Sequence, residues 1–339
     1  MASKSGRVIE AGTRKDITKL FLSWEFFLVV IFILIQIMNS CISPYYLSVS
    51  GLFTATSSFL EKAFVALPMA YILVLGDIDI SVGSTAALSA VMMAAAYNAG
   101  IPMGIAILIC LLTGTICGLI NGLILTRFTE LAPMIVTLAT QILYRGIAEI
   151  ILGNEAAVGL TSVTWFSNLY WGYIGPVPIM LIIFILCAIA FGFVLHKTVF
   201  GRWMYAIGSN KTAAQYSGIP VQRVRLIVFT LTGTFAAVTA IFLAARMGST
   251  RSNIATNYEM DAISMAVLGG FLTSGGKGNF IGLILAIFII GFLRYGLGLI
   301  NVPSQVMMVI IGALLIITVM IPKLKLGRLK NVFLKKRTA

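Results

Sequence analysis

Asp77 and Asp79 are the first residues in this chain whose type and placement could do chemistry. They stand in GDIDISVGS, residues 76–84, at the end of a long apolar run and between Gly76 and Gly83. A carboxylate at the centre of a membrane helix costs about 2.5 to 3.5 kcal/mol on insertion scales, so two of them in apolar sequence call for a role. Three roles are open: capping the next helix, holding the backbone amides of a broken segment, or touching a substrate or ion. Ser81 adds a hydroxyl to the same turn. Asn121 and Gln141 are uncharged hydrogen-bonding side chains in mid-span, suited either to bonding between helices or to reading hydroxyls along a path. Arg145 and Glu149 are four apart, share a helix face and can pair. With Arg294 they point to an internal ion-pair cluster, because unpaired charge in lipid is costly.

Covalent and metal chemistry find little support. The chain has one histidine, His196, and its four cysteines, Cys41, Cys110, Cys117 and Cys187, lie in or beside apolar runs without ligand spacing. They read as small packing residues. The glycine-lysine turn LTSGGKGNF at 272–280 fails as a phosphate loop, because Lys277 is followed by Gly278 and Phe271 stands where the frame needs its first glycine. No catalytic residue and no metal site is expected.

The elements that must position these residues are membrane helices. Of 339 residues, 59% are hydrophobic and 10% charged, with a mean hydropathy of +1.02. A soluble domain carries roughly a quarter charged residues. The apolar runs recur at about 20 residues, the length that crosses a hydrocarbon core, and they are continuous, which favours helices over a barrel. The expected fold is all-α and polytopic, with about ten transmembrane helices and both termini cytosolic. The spans run from 24 to 42, through a helix that starts at the interface near residue 50 and then dives to 75, then 82–99, 103–125, 132–152, 177–196, 226–245, a shorter 258–271, 281–299 and 304–321. Gly114, Gly118 and Gly122 repeat every four residues, a spacing that brings two helix backbones close in a bilayer. Trp165, Tyr170, Trp171 and Tyr173 form an aromatic belt on the loop at 153–175.

The net charge of +13 is gathered at the two ends and in the middle of the chain. That is the positive-inside pattern, which anionic lipid headgroups satisfy, and nucleic acid is not expected as a partner. The chain divides into a basic cytosolic N-terminus at 1–22, a transmembrane domain at 23–321 with a cytosolic loop at 198–225, and a basic cytosolic tail at 322–339. The N-terminal apolar run lacks a cleavage site and reads as a retained helix.

That central loop holds a capped short helix. Asn210 is placed to cap it, Lys211 to Ser217 form its body, Gly218 supplies a left-handed stop and Pro220 bars continuation. A helix of two turns is far below the roughly 12 to 15 residues that isolated helices need, so it must lean on something. Ala213, Ala214, Tyr216 and Ile219 offer the contact surface.

Three segments together resemble the membrane permeases of bacterial ATP-binding-cassette importers for simple sugars, of the ribose, rhamnose and autoinducer-sugar kind: GDIDISVGS at 76–84, GRWMYAIGSNKTAAQYSGIPVQR at 201–223, and AVLGGFLTSGGKGNFIG at 266–282. The likeness covers about 40–321. Asp79, Ser81 and Gly83 fall on the family's turn, while Asp77 departs from it, standing where the family has its second glycine. The resemblance implies a permease subunit of the inner membrane, paired with a second permease, identical or paralogous. It also implies docking on ATPase subunits through the 211–217 helix, with ATP and Mg bound there and not on this chain, and an extracytoplasmic binding protein that delivers the sugar. Asp79 is then expected to be more sensitive to amidation than Asp77. The competing reading is a proton-coupled secondary carrier with Asp77, Asp79, Glu149 or Asp261 as relay.

Overall fold

A computed structural model describes residues 24–153 and 155–320. Thirteen α-helices account for most of it: α1 (Trp24–Ile42), α2 (Val49–Leu75), α3 (Val82–Asn98), α4 (Met103–Arg127), α5 (Pro133–Leu152), α6 (Thr164–Trp171), α7 (Ile179–Lys197), α8 (Val199–Ser209), α9 (Lys211–Tyr216), α10 (Val221–Met247), α11 (Tyr258–Leu268), α12 (Phe280–Leu299) and α13 (Ser304–Met320). Tyr173–Ile174 and Val177–Pro178 pair as a two-residue hairpin, β1 and β2. Seven helices, α1, α2, α4, α5, α7, α10 and α12, are long and apolar enough to cross a membrane. The protein is a multi-pass membrane protein. The basic ends at 1–22 and 322–339 lie outside the described residues.

The core forms around α2, whose residues from Ala63 to Leu75 are all buried, around α10 packed beside it, and around α3 packed on α10. Helices α1, α4, α5 and α7 surround them and turn apolar faces outward. In a bilayer such faces meet lipid tails or another apolar chain, so their exposure carries no aqueous penalty. The glycines of α4 act as their spacing predicts: Gly114 and Gly118 lie against Gly233 of α10, and Gly122 against Leu226, leaving no room for a Cβ. Pro68 is carried inside α2. Asn39 of α1 donates to the Phe292 carbonyl of α12 at 2.9 Å and fills the space left by Gly296.

Four features go beyond the sequence reading. First, the helix that starts near residue 50 is capped by Ser48 and runs unbroken to Leu75, past a fully buried Glu61. Glu61 and its neighbour Lys62 are each matched to a partner nearly 200 residues away. Second, the aromatic loop folds a helix of its own, α6, which places the Tyr170 hydroxyl on the Ser57 carbonyl at 3.1 Å and leaves Trp165 and Trp171 exposed. Third, an amphipathic helix, α8, precedes the short loop helix and was not foreseen. Fourth, α11 has 11 residues, a rise of about 16 Å, which is half a hydrocarbon core.

Two irregular segments explain that short helix. Residues 77–81 leave α2 as an irregular turn, and α3 starts only at Val82. Residues 248–257 likewise lead from the end of α10 to the start of α11, with Ala255 and Asn257 at positive φ. The first turns of α3 and α11 meet, and a Cβ on Gly83 would strike the Glu259 carboxylate and the Ala255 carbonyl.

Candidate functional site

The 76–81 turn begins with Gly76 at φ 78°, the left-handed stop of α2. Asp77 then meets Arg225 of α10 in a two-point contact, Nε to Oδ2 at 2.5 Å and Nη2 to Oδ1 at 3.0 Å. The remaining nitrogen, Nη1, donates to the Leu125 carbonyl at the end of α4, at 2.8 Å. Arg225 is only 4% exposed, so a cation that the sequence reading assigned to the cytosolic loop is in fact a buried strut joining three elements. The fork geometry of guanidinium and carboxylate makes this a strong, directional contact.

Asp79 pairs with no cation among the described residues. It is 2% exposed, and its Oδ1 accepts from the Ser81 amide at 2.8 Å and the Ser81 hydroxyl at 2.7 Å. Asn121 Nδ2 donates to Ser81 Oγ at 2.8 Å, and the Tyr144 hydroxyl donates to Asn121 Oδ1 at 3.2 Å or to the Cys117 carbonyl at 3.1 Å. The Ile80 amide reaches Thr137 Oγ1 at 3.2 Å. Three of the sequence candidates, Asp79, Ser81 and Asn121 of α4, thus form one buried network that α5 completes with Tyr144 and Thr137. These two were missed, since a Tyr or Thr in an apolar span carries no local signal.

Gln141 lies outside that network and donates to Glu259 Oε1 at 3.2 Å. Glu259, at the start of α11, leaves its Oε2 buried against the Gly83 backbone without a hydrogen bond among the described residues. One turn along α5, Arg145 forms no ion pair with Glu149 among the described residues. Its Nη1 donates instead to the Ser252 and Ile254 carbonyls, at 2.6 and 2.8 Å. The irregular segment offers carbonyls that no helix satisfies, and an arginine one turn from Gln141 is the donor that reaches them. The ion-pair cluster expected around Arg294 does exist with other members: Arg294 and Lys62 share Asp261, and Arg246 pairs with Glu61.

The loop helix α9 follows the sequence reading closely. Asn210 Oδ1 accepts from the Ala213 amide at 2.9 Å, the Ile219 amide closes the end on the Ala214 carbonyl at 3.1 Å, and Gly218 has φ 79°. Its faces divide sharply. Ala214 is buried against the protein itself, whereas Lys211, Ala213, Ser217 and Gly218 are exposed and Tyr216 stands 89% exposed. Partial desolvation, with the nearby Arg225 charge adding to it, pushes the Lys211 ammonium below its usual range, and Asp77 partly offsets this.

Upstream, α8 anchors this helix to the core. Gly208 touches the Val74 carbonyl and the Gly276 amide so closely that no Cβ fits, the Gly276 amide donates to the Val74 carbonyl at 2.9 Å, and the Tyr205 hydroxyl donates to the Gly278 carbonyl at 2.9 Å. The glycine-rich turn at 272–279 therefore spends its backbone on the ends of α2 and α8. Exposed loop helix, Asp77–Arg225 strut and buried Asp79 network are one contiguous structure.

Residues 51–319 match the family described as the permease component of the branched-chain amino acid transport system. The chain belongs to this permease family. Among curated relatives, it is 37% identical over 309 residues to the autoinducer 2 import system permease protein LsrD of Photorhabdus temperata, covering 90% of this chain and 92% of that one. It is 36% identical over 310 residues to LsrD of Yersinia pestis (strain Pestoides F) and of Yersinia pseudotuberculosis (serotype O:1b), with the same coverage. No solved structure matches the chain.

Proposed function

We propose that this chain is the permease subunit of an ATP-driven importer in the bacterial inner membrane, and that it forms the path for a sugar-like signal of the autoinducer 2 kind. The observation that carries this reading is near-full-length similarity to import permeases of that name, together with a capped, solvent-exposed loop helix fixed to the core. In this reading the chain makes about ten crossings, with α3, α11 and α13 added to the seven long helices, and its basic ends are cytosolic. It pairs with a second permease, receives its cargo from an extracytoplasmic binding protein, and docks through α9 on an ATPase subunit that holds ATP and Mg.

Tyr216, with Lys211, Ala213, Ser217, Gly218 and Ile219 around it, is the docking surface, and Asn210 and Ala214 hold the helix in place. An exposed aromatic at the centre of a small patch is the residue type that carries binding energy at interfaces. Asp77 and Arg225 pass the movement of α9 to the turn, while Asp79, Ser81, Gly83, Asn121 and Gln141 shape the path or its wall. The proton-carrier reading draws less support, because two of its relay candidates, Asp77 and Asp261, are tied up in ion pairs.

The test is ATP hydrolysis by the complex of this chain, its partner permease and the ATPase in proteoliposomes. Cargo-loaded binding protein should stimulate hydrolysis, and Tyr216→Ala should lower the affinity for the ATPase by about tenfold or more. Unchanged stimulation and affinity in the variant would remove α9 from the docking surface.

A further inference from the structure

A cavity of about 370 Å³ lies between α2, α11 and α12. Phe59, Met265 and Leu299 supply apolar wall, and Lys62 and Arg294 stand on it as cations. Both cations contact one carboxylate: Lys62 Nζ reaches Asp261 Oδ2 at 3.1 Å, and Arg294 Nη2 bonds to Oδ1. Lys62 also sits over the Tyr258 ring, 4.7 Å from its centre. The adjoining Arg246 is matched by Glu61. Counting the cluster, three cations face two carboxylates, Glu61 and Asp261, so one positive charge has no counterpart within it. Arg294 Nε is buried and makes no hydrogen bond among the described residues. A surplus cation held among membrane helices is costly unless an anion joins it.

The cavity's shape says which anion. It opens at Gly298 and Leu299, both exposed, at the end of α12. Arg294 stands five residues from that end, a rise of about 7.5 Å, within the reach of a long side chain extending toward headgroup level. A free inorganic anion would satisfy the charge and leave the apolar wall bare. We propose that this cavity binds an anionic phospholipid, its phosphodiester oxygens on Lys62 and Arg294 and its acyl chain along Phe59, Met265 and Leu299. The site is separate from the α9 docking surface and independent of the transport reading.

The experiment uses the purified full chain in phosphatidylcholine nanodiscs, titrated with phosphatidylglycerol and followed by thermal unfolding and by native mass spectrometry for retained lipid. Phosphatidylglycerol should raise the melting temperature by roughly 3 °C, a linkage effect of preferential binding to the folded state. Arg294→Gln and Lys62→Gln should each weaken retention about fivefold, since one basic side chain near an anionic lipid is worth about that factor. If Arg294→Gln does not fold, Lys62→Gln, which keeps the wall and the Arg294–Asp261 contact, decides the matter. Equal lipid retention in wild type and variants overturns the proposal, as does equal stabilisation by phosphatidylcholine. Stabilisation by inorganic phosphate in place of the lipid overturns it too.

Discussion

Asp77 and Asp79 sit two residues apart yet are stabilised by opposite means, and this sets their responses to mutation. Asp77→Asn leaves the Arg225 guanidinium buried beside a neutral amide. Breaking one side of a buried pair costs about 3 to 5 kcal/mol. Asp79→Asn retains an oxygen that can accept from Ser81, so its cost should be nearer the roughly 1 kcal/mol of a weakened neutral bond. The order expected from the family turn is therefore reversed for stability, with Asp77→Asn the more damaging change in detergent melting. The double variant Asp77→Gly with Arg225→Leu should recover part of the loss, because it removes both charges together and restores the glycine of the family turn. A double variant no more stable than either single change would show that the strut contributes nothing beyond its parts. None of this pairing was legible in sequence, since Asp77 and Arg225 are 148 residues apart. The Asn210 cap was legible, because its donor is three residues away and capping is a local bond.

At the scale of elements, the packing of α4 on α10 gives a graded test. Gly118→Ala puts a methyl 3.0 Å from the Gly233 backbone, and two packed helices cannot separate at one point without loosening along their length. The expected loss is about 1 to 3 kcal/mol. Gly104→Ala, in the same helix with nothing within 4 Å, should be neutral or slightly stabilising, as exchange of a helical glycine for alanine generally is. Equal melting temperatures for the two would deny the close approach. The loop helix gives a second contrast. Ala214→Trp should overpack the protein's own interior and lower its stability, because Ala214 faces inward, while Ala213→Trp should fold normally and lose copurification with the ATPase. The boundaries of the long helices could be read to within a few residues because apolar length alone defines them. The breaks at 77–81 and 248–257 were less legible, since what makes them tolerable is remote: Arg145 on the Ser252 and Ile254 carbonyls, Thr137 on the Ile80 amide.

For the whole molecule, the proposed coupling is mechanical. Movement of an ATPase pressed against Tyr216 would pass through α9 and α8 to the junction of Gly208, Val74 and Gly276, and through the Asp77–Arg225 strut to the turn that carries Asp79. The membrane was legible from composition, because composition is a property summed over the chain, and the three basic clusters predict the orientation in the same way. The identity of the cargo was not legible, since no local pattern of residue types and spacing in an apolar chain encodes one sugar over another. The measurement that bears most directly on the central claim is cargo uptake into vesicles carrying this chain and its partner permease, under four conditions: with and without the ATPase and internal ATP, and with and without an imposed proton gradient. Uptake that requires the ATPase and ATP, is indifferent to the gradient and is lost in Tyr216→Ala is the predicted result; uptake driven by the gradient in the absence of the ATPase would contradict it.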